Sequence, residues 1–361
     1  MFWLWVSWVI GGPFPLCVTY GAENGGKKED LLFRGCVWLN RESEVGETMK
    51  KILMALLCML FLLTGCAGAG HGQKDITIQG EITFTDDLGR NVTMDRPERV
   101  AALTGSFADL WCLAGGEETL SAAAHDAWTS FDLGLSEAVT DLGTIKQPDL
   151  ERLLAAQPDL VLASSNTAAQ AQLLPLLEQA GVTVAYFNVT NFSEYLNMLS
   201  ICTQLTGQED RYARYGQALE DQIAAARGRA DGSQPTVLYI RATGSGCKVK
   251  NSRDTVLGEM LADLDCRNIA DREDSLLEEL SLEVILQSDP DYIFAVCQGA
   301  DPTDARRMLD QTLLSNPAWQ SLTAVREGRF HVLEHELYNL KPNARWGEAY
   351  ENLANILYPD R

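Results

Sequence analysis

The chain has 361 residues, 46% hydrophobic and 22% charged, with a formal net charge of −21. That length and composition accommodate two domains with real cores, and exclude a disordered chain or a polytopic membrane protein. Residues 1–65 carry as many acidic as basic side chains, so the whole imbalance falls on Cys66 to Arg361, and so acidic a body argues against nucleic acid as a partner.

Residues 1–48 match nothing downstream: the aromatic run FWLWVSWVI is too short to cross a bilayer, and a Gly-rich polar stretch follows it. At Met49 the pattern changes to a basic start, Met49-Lys50-Lys51, an apolar core from Ile52 to Leu63, and small residues before Cys66. This resembles a bacterial lipoprotein signal over residues 49–65. It implies lipidation of Cys66, and makes residues 1–48 a disordered upstream extension that belongs to no domain. The alternative is a short buried helix ending in a free thiol. Residues 66–75 are Gly-rich and polar, suited to a flexible tether.

From Ile76 to Met94 apolar residues alternate around Asp86-Asp87-Leu88-Gly89-Arg90, which predicts a hairpin. An N-terminal lobe, residues 76–206, then reads as strand 99–103, helix 107–113, strand 120–124, a loop 125–136, a short helix from Leu150, strand 160–163, helix 170–180, strand 182–187 and helix 193–206. Residues 207–230 place Tyr212, Tyr215, Leu219, Ile223 and Ala226 on one face of a single long helix. Such a helix can bridge two domains. The C-terminal lobe, residues 231–361, reads as strand 236–240, a loop 241–254, helix 255–264, a short helix from Leu282, strand 292–295, helix 304–314, strand 329–333, a loop 334–343 and helix 344–357.

The two lobes contain one unit written twice. Leu150-Glu151, Leu154 and Pro158-Asp159-Leu160-Val161-Leu162-Ala163 align without a gap on Leu282-Glu283, Leu286 and Pro290-Asp291-Tyr292-Ile293-Phe294-Ala295. Proline disfavours helical geometry in the residue before it, so each copy is a helix stopped ahead of Pro-Asp and followed by an apolar strand. Continuous apolar strands between helices read as mostly parallel sheet covered on both faces. The predicted fold class is therefore α/β: two lobes, each with a central sheet flanked by helices, joined by one long rigid helix.

The lipoprotein signal, the TDDLGR hairpin, the repeated units, the linking helix and the KPNARWGEAYENLANILYP ending together resemble the substrate-binding proteins of ABC importers for iron complexes and vitamin B12, over residues 76–361. The resemblance implies a ligand in the cleft between the lobes, limited lobe closure, a position on the extracytoplasmic face of the membrane, and delivery to a two-fold permease driven by a cytoplasmic ATPase. It also implies that Glu151 and Glu283 dock on that permease. The competing reading makes them acidic complements to helix N-termini. No cofactor is expected to be permanently bound, and the protein is expected to be a monomer.

Ligands of open α/β lobes sit at the carboxyl ends of the strands. That selects Ser106, Phe107, His125, Trp128, Lys146, Ser165, Asn166, Lys248, Lys250, Asn251, Gln298, Tyr338, Lys341, Arg345 and Trp346 as candidate ligand-binding residues. The aromatic faces and cations suit an anionic iron chelate, a siderophore complex or haem; solvated loops, with Trp346 packing the last helix, are the alternative. Cobalamin is the competing cargo. No metal site is predicted: a bare-ion site at His125, His331 and His335 lacks anything to bring the histidines together, and an axial bond from His125 to haem iron rests on position alone. The nine cysteines include no CxxC, and the five after Cys66 are widely scattered. No nucleophile with its base, phosphate loop or acid/base pair appears, so the chain reads as a binding protein and not an enzyme. A metallocluster or metal-chelate enzyme component and a surface sensor are the readings from other classes; they require clustered Cys/His ligands or a fused output domain.

Overall fold

The computed structural model describes residues 2–5, 19–22, 80–299 and 302–359. The signal-like segment, Cys66 and the tether lie outside the described residues. The chain divides into Met1–Ile76 and Thr77–Arg361. In the first unit Phe2–Trp5 pairs antiparallel with Thr19–Ala22. The sequence reading anticipates no order there; aromatic residues with strong strand preference account for the pair.

The second unit opens with the expected hairpin, Ile82–Thr85 against Asn91–Met94. Its turn is built around the buried Asp86, whose carboxylate accepts from the Leu88 and Arg90 amides and from the Arg90 guanidinium. Arg90 also donates to the Val184 carbonyl, and the Asp86 carboxylate accepts from the Tyr186 amide. The TDDLGR motif thus fastens the hairpin to the edge strand of the first sheet.

That sheet runs in the order Thr183–Phe187, Leu160–Ser164, Val100–Ala102, Leu120–Ala123, Thr140–Asp141, with every neighbouring pair parallel. The second runs Gly246–Lys250, Thr236–Thr243, Tyr292–Cys297, Phe330–Leu333, with Arg267–Asn268 also pairing Thr236–Thr243. Only the Gly246–Lys250 pairing is antiparallel. Residues 241–254 are thus not a loop, as the sequence reading has them, but largely strand. Cys247 and Val249 pack into the core while Lys248 and Lys250 face away, and lysines on an edge strand masked the two-residue period.

Both copies of the repeat form as read: helix Leu150–Ala155 before strand Leu160–Ser164, and helix Leu282–Ser288 before strand Tyr292–Cys297. The residue before each proline takes a left-handed backbone, φ 49° at Gln157 and 37° at Asp289, which ends the helix. The repeated aspartate has a structural task. Asp159 accepts from the Glu98 and Arg99 amides, and Asp291 from the Thr236 amide and hydroxyl. Each fixes the start of the strand beside its own.

Helical geometry continues from Asp210–Tyr212 through a π-turn at Ala213–Gln217 into Ala218–Arg227, a length of about 27 Å at 1.5 Å per residue. It is shorter at both ends than read from sequence: Gly207 is the left-handed cap of the preceding helix, Phe192–Thr206, and Gly228 caps the linking helix itself. The Tyr195 hydroxyl donates to the Tyr215 carbonyl at 2.7 Å, occupying an acceptor within the π-turn. Leu219, Ile223 and Ala226 are buried on the predicted face.

Three apolar clusters organise the unit. One fills the outer side of the first sheet, around Leu103, Val161 and Tyr186, and one the outer side of the second, around Leu238, Ile293 and Trp319. The third runs through both lobes: it joins Leu162 and Phe187 of the first sheet, Ile223 of the linking helix, Tyr239 and Phe294 of the second sheet, and Trp346 and Leu353 of the last helix, Trp346–Leu357. Two smaller readings change. Helix 170–180 is two pieces, Ala168–Ala171 and Leu174–Gln179, with Pro175 starting the second; and residues 334–343 include a helical turn, His335–Tyr338. Among the described residues no helix is long and apolar enough to cross a membrane.

Candidate functional site between the lobes

The parallel strands deliver their carboxyl ends to the space between the lobes. Helix Gly105–Leu113, capped by Thr104, and the short helix Asp126–Thr129 present the first lobe; the Asp126 carboxylate accepts from the Gly105 amide at 2.9 Å. A cavity of about 650 Å³ opens there, within the size range of small-molecule sites. His125, Thr129 and Ser130 line it from the first lobe, and Cys297, Arg306, Val332, Leu333 and His335 from the second.

The two histidines are held alike. His125 Nδ1 lies 2.8 Å from an Asp141 carboxylate oxygen, and His335 Nδ1 lies 2.9 Å from the Cys297 carbonyl oxygen. The structure therefore supplies what the sequence does not: the fold brings His335 to the same cavity as His125. His331 goes elsewhere, stacked on Phe294 with ring centroids 5.7 Å apart. Burial raises the Asp141 carboxyl, but hydrogen bonds from the Gly143 amide and His125, with the His125 and Arg152 charges, outweigh it and hold the group below its usual range. Among the described residues no group of three or more His, Cys, Asp or Glu side chains is placed to hold a metal ion.

Beside the cavity lies a basic strip. Arg241 and Lys248 are cross-strand neighbours, as are Tyr239 and Lys250, so all four side chains share one face of the sheet. The Arg241 guanidinium contacts the Tyr239 hydroxyl at 3.2 and 3.3 Å. Among the described residues no carboxylate pairs with Arg241, Lys248, Lys250 or Lys341. Burial, then the Arg241 and Lys248 charges, lower the Lys250 ammonium below its ordinary value. At Lys341 burial is again the largest cause, followed by Arg241, while Glu194 and Asp126 oppose the shift. Such a strip favours an incoming anion.

Several candidates fall out of the site. Trp346 and Tyr338 are buried, not offered to a ligand: Trp346 stands 5.9 Å from Phe192 and 6.1 Å from Tyr195, and the Tyr338 hydroxyl donates to the Ala349 carbonyl. Phe107 packs against Phe187 in the core, and Ser106 is buried beside it. Arg345 is held by Glu348 and Glu334 at 2.7 to 2.9 Å, which occupies its guanidinium. For Trp346 the physical reason is that the last helix packs against the linking helix and carries its aromatic face into the shared core. Trp128, half-buried at the cluster edge, keeps part of its ring open. Lys146 is exposed without a partner among the described residues. Ser165 and Asn166 lie just beyond strand Leu160–Ser164, with Asn166 bonded to Asn188. Gln298 is half-buried, its amide donating to the Ala242 carbonyl, and Asn251 caps a turn onto the Arg253 amide. Sequence reasoning missed Arg241 and Arg306, and set His335 aside because nothing in the sequence brings it to His125; a strand extended through Arg241 would have exposed the first.

Glu151 and Glu283 are each exposed in the first turn of their helix, two residues after the capping Asp149 and Ser281. The five described cysteines are free thiols.

Comparison with known proteins agrees with this arrangement. A putative ABC transporter substrate-binding lipoprotein, YhfQ of Bacillus subtilis, is 22% identical over 309 residues, covering 81% of this chain and 93% of its own. The iron-uptake system-binding protein of the same organism is 25% identical over 323 residues, covering 84% and 96%. These relatives are binding components of transporters and not enzymes. Among solved structures, the periplasmic heme-binding protein RhuT from Roseiflexus in apo form superposes with a TM-score of 0.60 at 22% identity, covering 73% of this chain and 98% of its own. Staphylococcus aureus SirA complexed with staphyloferrin B gives 0.60 at 18%, covering 77% and 97%. Both share the two-lobed α/β fold. Residues 100–337 match the model of the periplasmic binding proteins, and the chain belongs to that family.

Proposed function

We propose that this protein is the extracytoplasmic substrate-binding component of an ABC importer, capturing an iron complex in the cleft and passing it to a two-fold permease. The observation that carries the reading is the cavity walled by both lobes at the carboxyl ends of their strands, with a basic strip that no carboxylate pairs among the described residues, in a protein of net charge −21. That strip favours an anionic chelate, such as a carboxylate or catecholate siderophore complex or haem, over cobalamin. Trp128, His125, Arg241, Lys248, Lys250 and Lys341 are the residues assigned to the ligand. Glu151 and Glu283 dock on the permease, one per lobe; exposed charges of this kind set register and encounter rate more than affinity. Cys66 carries the lipid that tethers the body to the membrane, and the cargo is held only in transit.

Thermal-shift and tryptophan-quenching titrations with ferric siderophores, haem, cobalamin and zinc test the cargo. Stabilisation by an iron complex is expected, and a response to zinc or cobalamin alone refutes the assignment. For docking, uptake of the bound complex is measured in cells carrying Glu151→Ala with Glu283→Ala; transport at the wild-type rate rules out the role given to these residues.

A further inference from the structure

We infer that Asn343 is a clasp that holds the two lobes at one angle, and that this clasp, rather than the apolar contact around it, sets the width of the cleft. Asn343 lies in the turn 339–345, between His335–Tyr338 of the second lobe and the last helix. It is 1% exposed, and its backbone is left-handed at φ 49°. From there the side-chain nitrogen donates both its hydrogens to helix Gly105–Leu113 of the first lobe, one to the Ser106 carbonyl and one to the Asp109 carboxylate, each at 2.8 Å. Among the described residues no other hydrogen bond or ion pair joins residues 80–206 to residues 236–299 or 304–359.

The residue type follows from the task. A left-handed backbone is costly for most side chains and commoner at Asn, and an amide nitrogen offers two donors where a hydroxyl offers one and a carboxylate none. The amide oxygen stays buried without a partner, so the two donated bonds alone account for the polar side chain here. The neighbouring contact between the lobes is apolar: Trp346, three residues on, packs on Phe192 and Tyr195. Apolar contact is non-directional, whereas two hydrogen bonds from one atom to two acceptors on a helix hold direction as well as distance. The clasp also borders the cleft, since the Lys341 ammonium, two residues earlier, feels Arg241 of its own lobe and Glu194 and Asp126 of the first. Glu151 and Glu283 stand one on each lobe, so the same clasp fixes their separation; that consequence for delivery rests on the importer reading above, and the clasp itself does not.

Spin labels attached through a genetically encoded keto amino acid in place of Glu151 and Glu283, both exposed, report the distance between the lobes by double electron–electron resonance. The cargo-free full chain is measured, so the outcome does not depend on the cargo assignment. One narrow distance is expected with Asn343 in place, and a broad or two-peaked distribution there overturns the inference whether or not any variant folds. Asn343→Gly, which suits the left-handed backbone, and Asp109→Leu, which removes the acceptor, should each raise the population of wider spacings by about tenfold, as for loss of a buried hydrogen bond. The double variant should match Asn343→Gly alone, because both changes break the same contact. Asp109→Asn keeps an acceptor oxygen and should keep the narrow distance. A distribution unchanged by both Asn343→Gly and Asp109→Leu overturns the inference, and so does Asp109→Asn broadening it as far as Asp109→Leu, since the Asp109 charge and not the bond would then be responsible.

Discussion

If one apolar cluster truly runs through both lobes, a single truncation in the linking helix must weaken the whole body at once. Ile223 is the place to test this, being 4% exposed in the cluster that joins the first sheet to the second. Ile223→Ala deletes three buried carbons, about 2.4 kcal/mol at roughly 0.8 kcal/mol per methylene. The cavity left behind adds to this, within the range of about 2–5 kcal/mol measured for such truncations. Taking about 3 kcal/mol and roughly 2–4 °C per kcal/mol for a body of this size, the melting temperature should fall by roughly 6–12 °C. Calorimetry should show one transition in both proteins, displaced but not divided, because neither lobe can lose the shared cluster alone. Separate transitions for the two lobes in the variant, or a fall of less than about 2 °C, would show that the lobes are independently stable and that the helix is merely a tether. The functional consequence is restricted lobe closure, since wide opening would expose the same cluster.

His331 supplies a pH test: burial holds its imidazole below the ordinary value, so the unfolded chain takes up the proton first, and stability is lost as pH falls below about 6.5 toward the lower folded value. His331→Phe, which preserves stacking on Phe294, should flatten the melting curve between about pH 7.5 and 5.5; an unchanged slope contradicts this. At Asp109 burial raises the carboxyl and the Asn343 hydrogen bond partly offsets it, so charging this group costs stability as pH rises. Asp109→Asn should therefore be neutral or stabilising at pH 7, and a large loss on denaturant unfolding would count against it. Gln170 is fully buried, accepting from the Ser164 amide at 2.7 Å and donating to the Leu103 and Ile145 carbonyls at 2.8 and 3.2 Å. Gln170→Leu strands those groups at about 1–3 kcal/mol each, which should lower stability in urea and, by loosening the strand ends at the cleft, weaken ligand affinity with it.

How far the sequence reaches is clearest in the repeat. The gapless match of Leu150–Ala163 with Leu282–Ala295 reports local physics, because proline stops a helix and an apolar run makes a buried strand wherever they occur. Both copies accordingly form as read. The strand Gly246–Lys250 was harder, since only half of its residues face the core and its lysines stand on an unpaired edge. The aromatic residues at the chain end misled for a related reason. Periodicity tells that Trp346 and Tyr350 share a helix face, but not whether that face meets ligand or protein.

The amino-acid sequence by itself determined the two-lobed α/β plan, the helix between the lobes and the acidic character of the body, because each follows from neighbours a few residues apart. Tertiary structure alone decided which residues meet in the cleft. It brought His125 and His335, 210 positions apart, to one cavity, turned Trp346 inward and left Arg241 without a carboxylate among the described residues, because contacts between distant segments depend on how whole sheets and helices pack, and no local pattern encodes that.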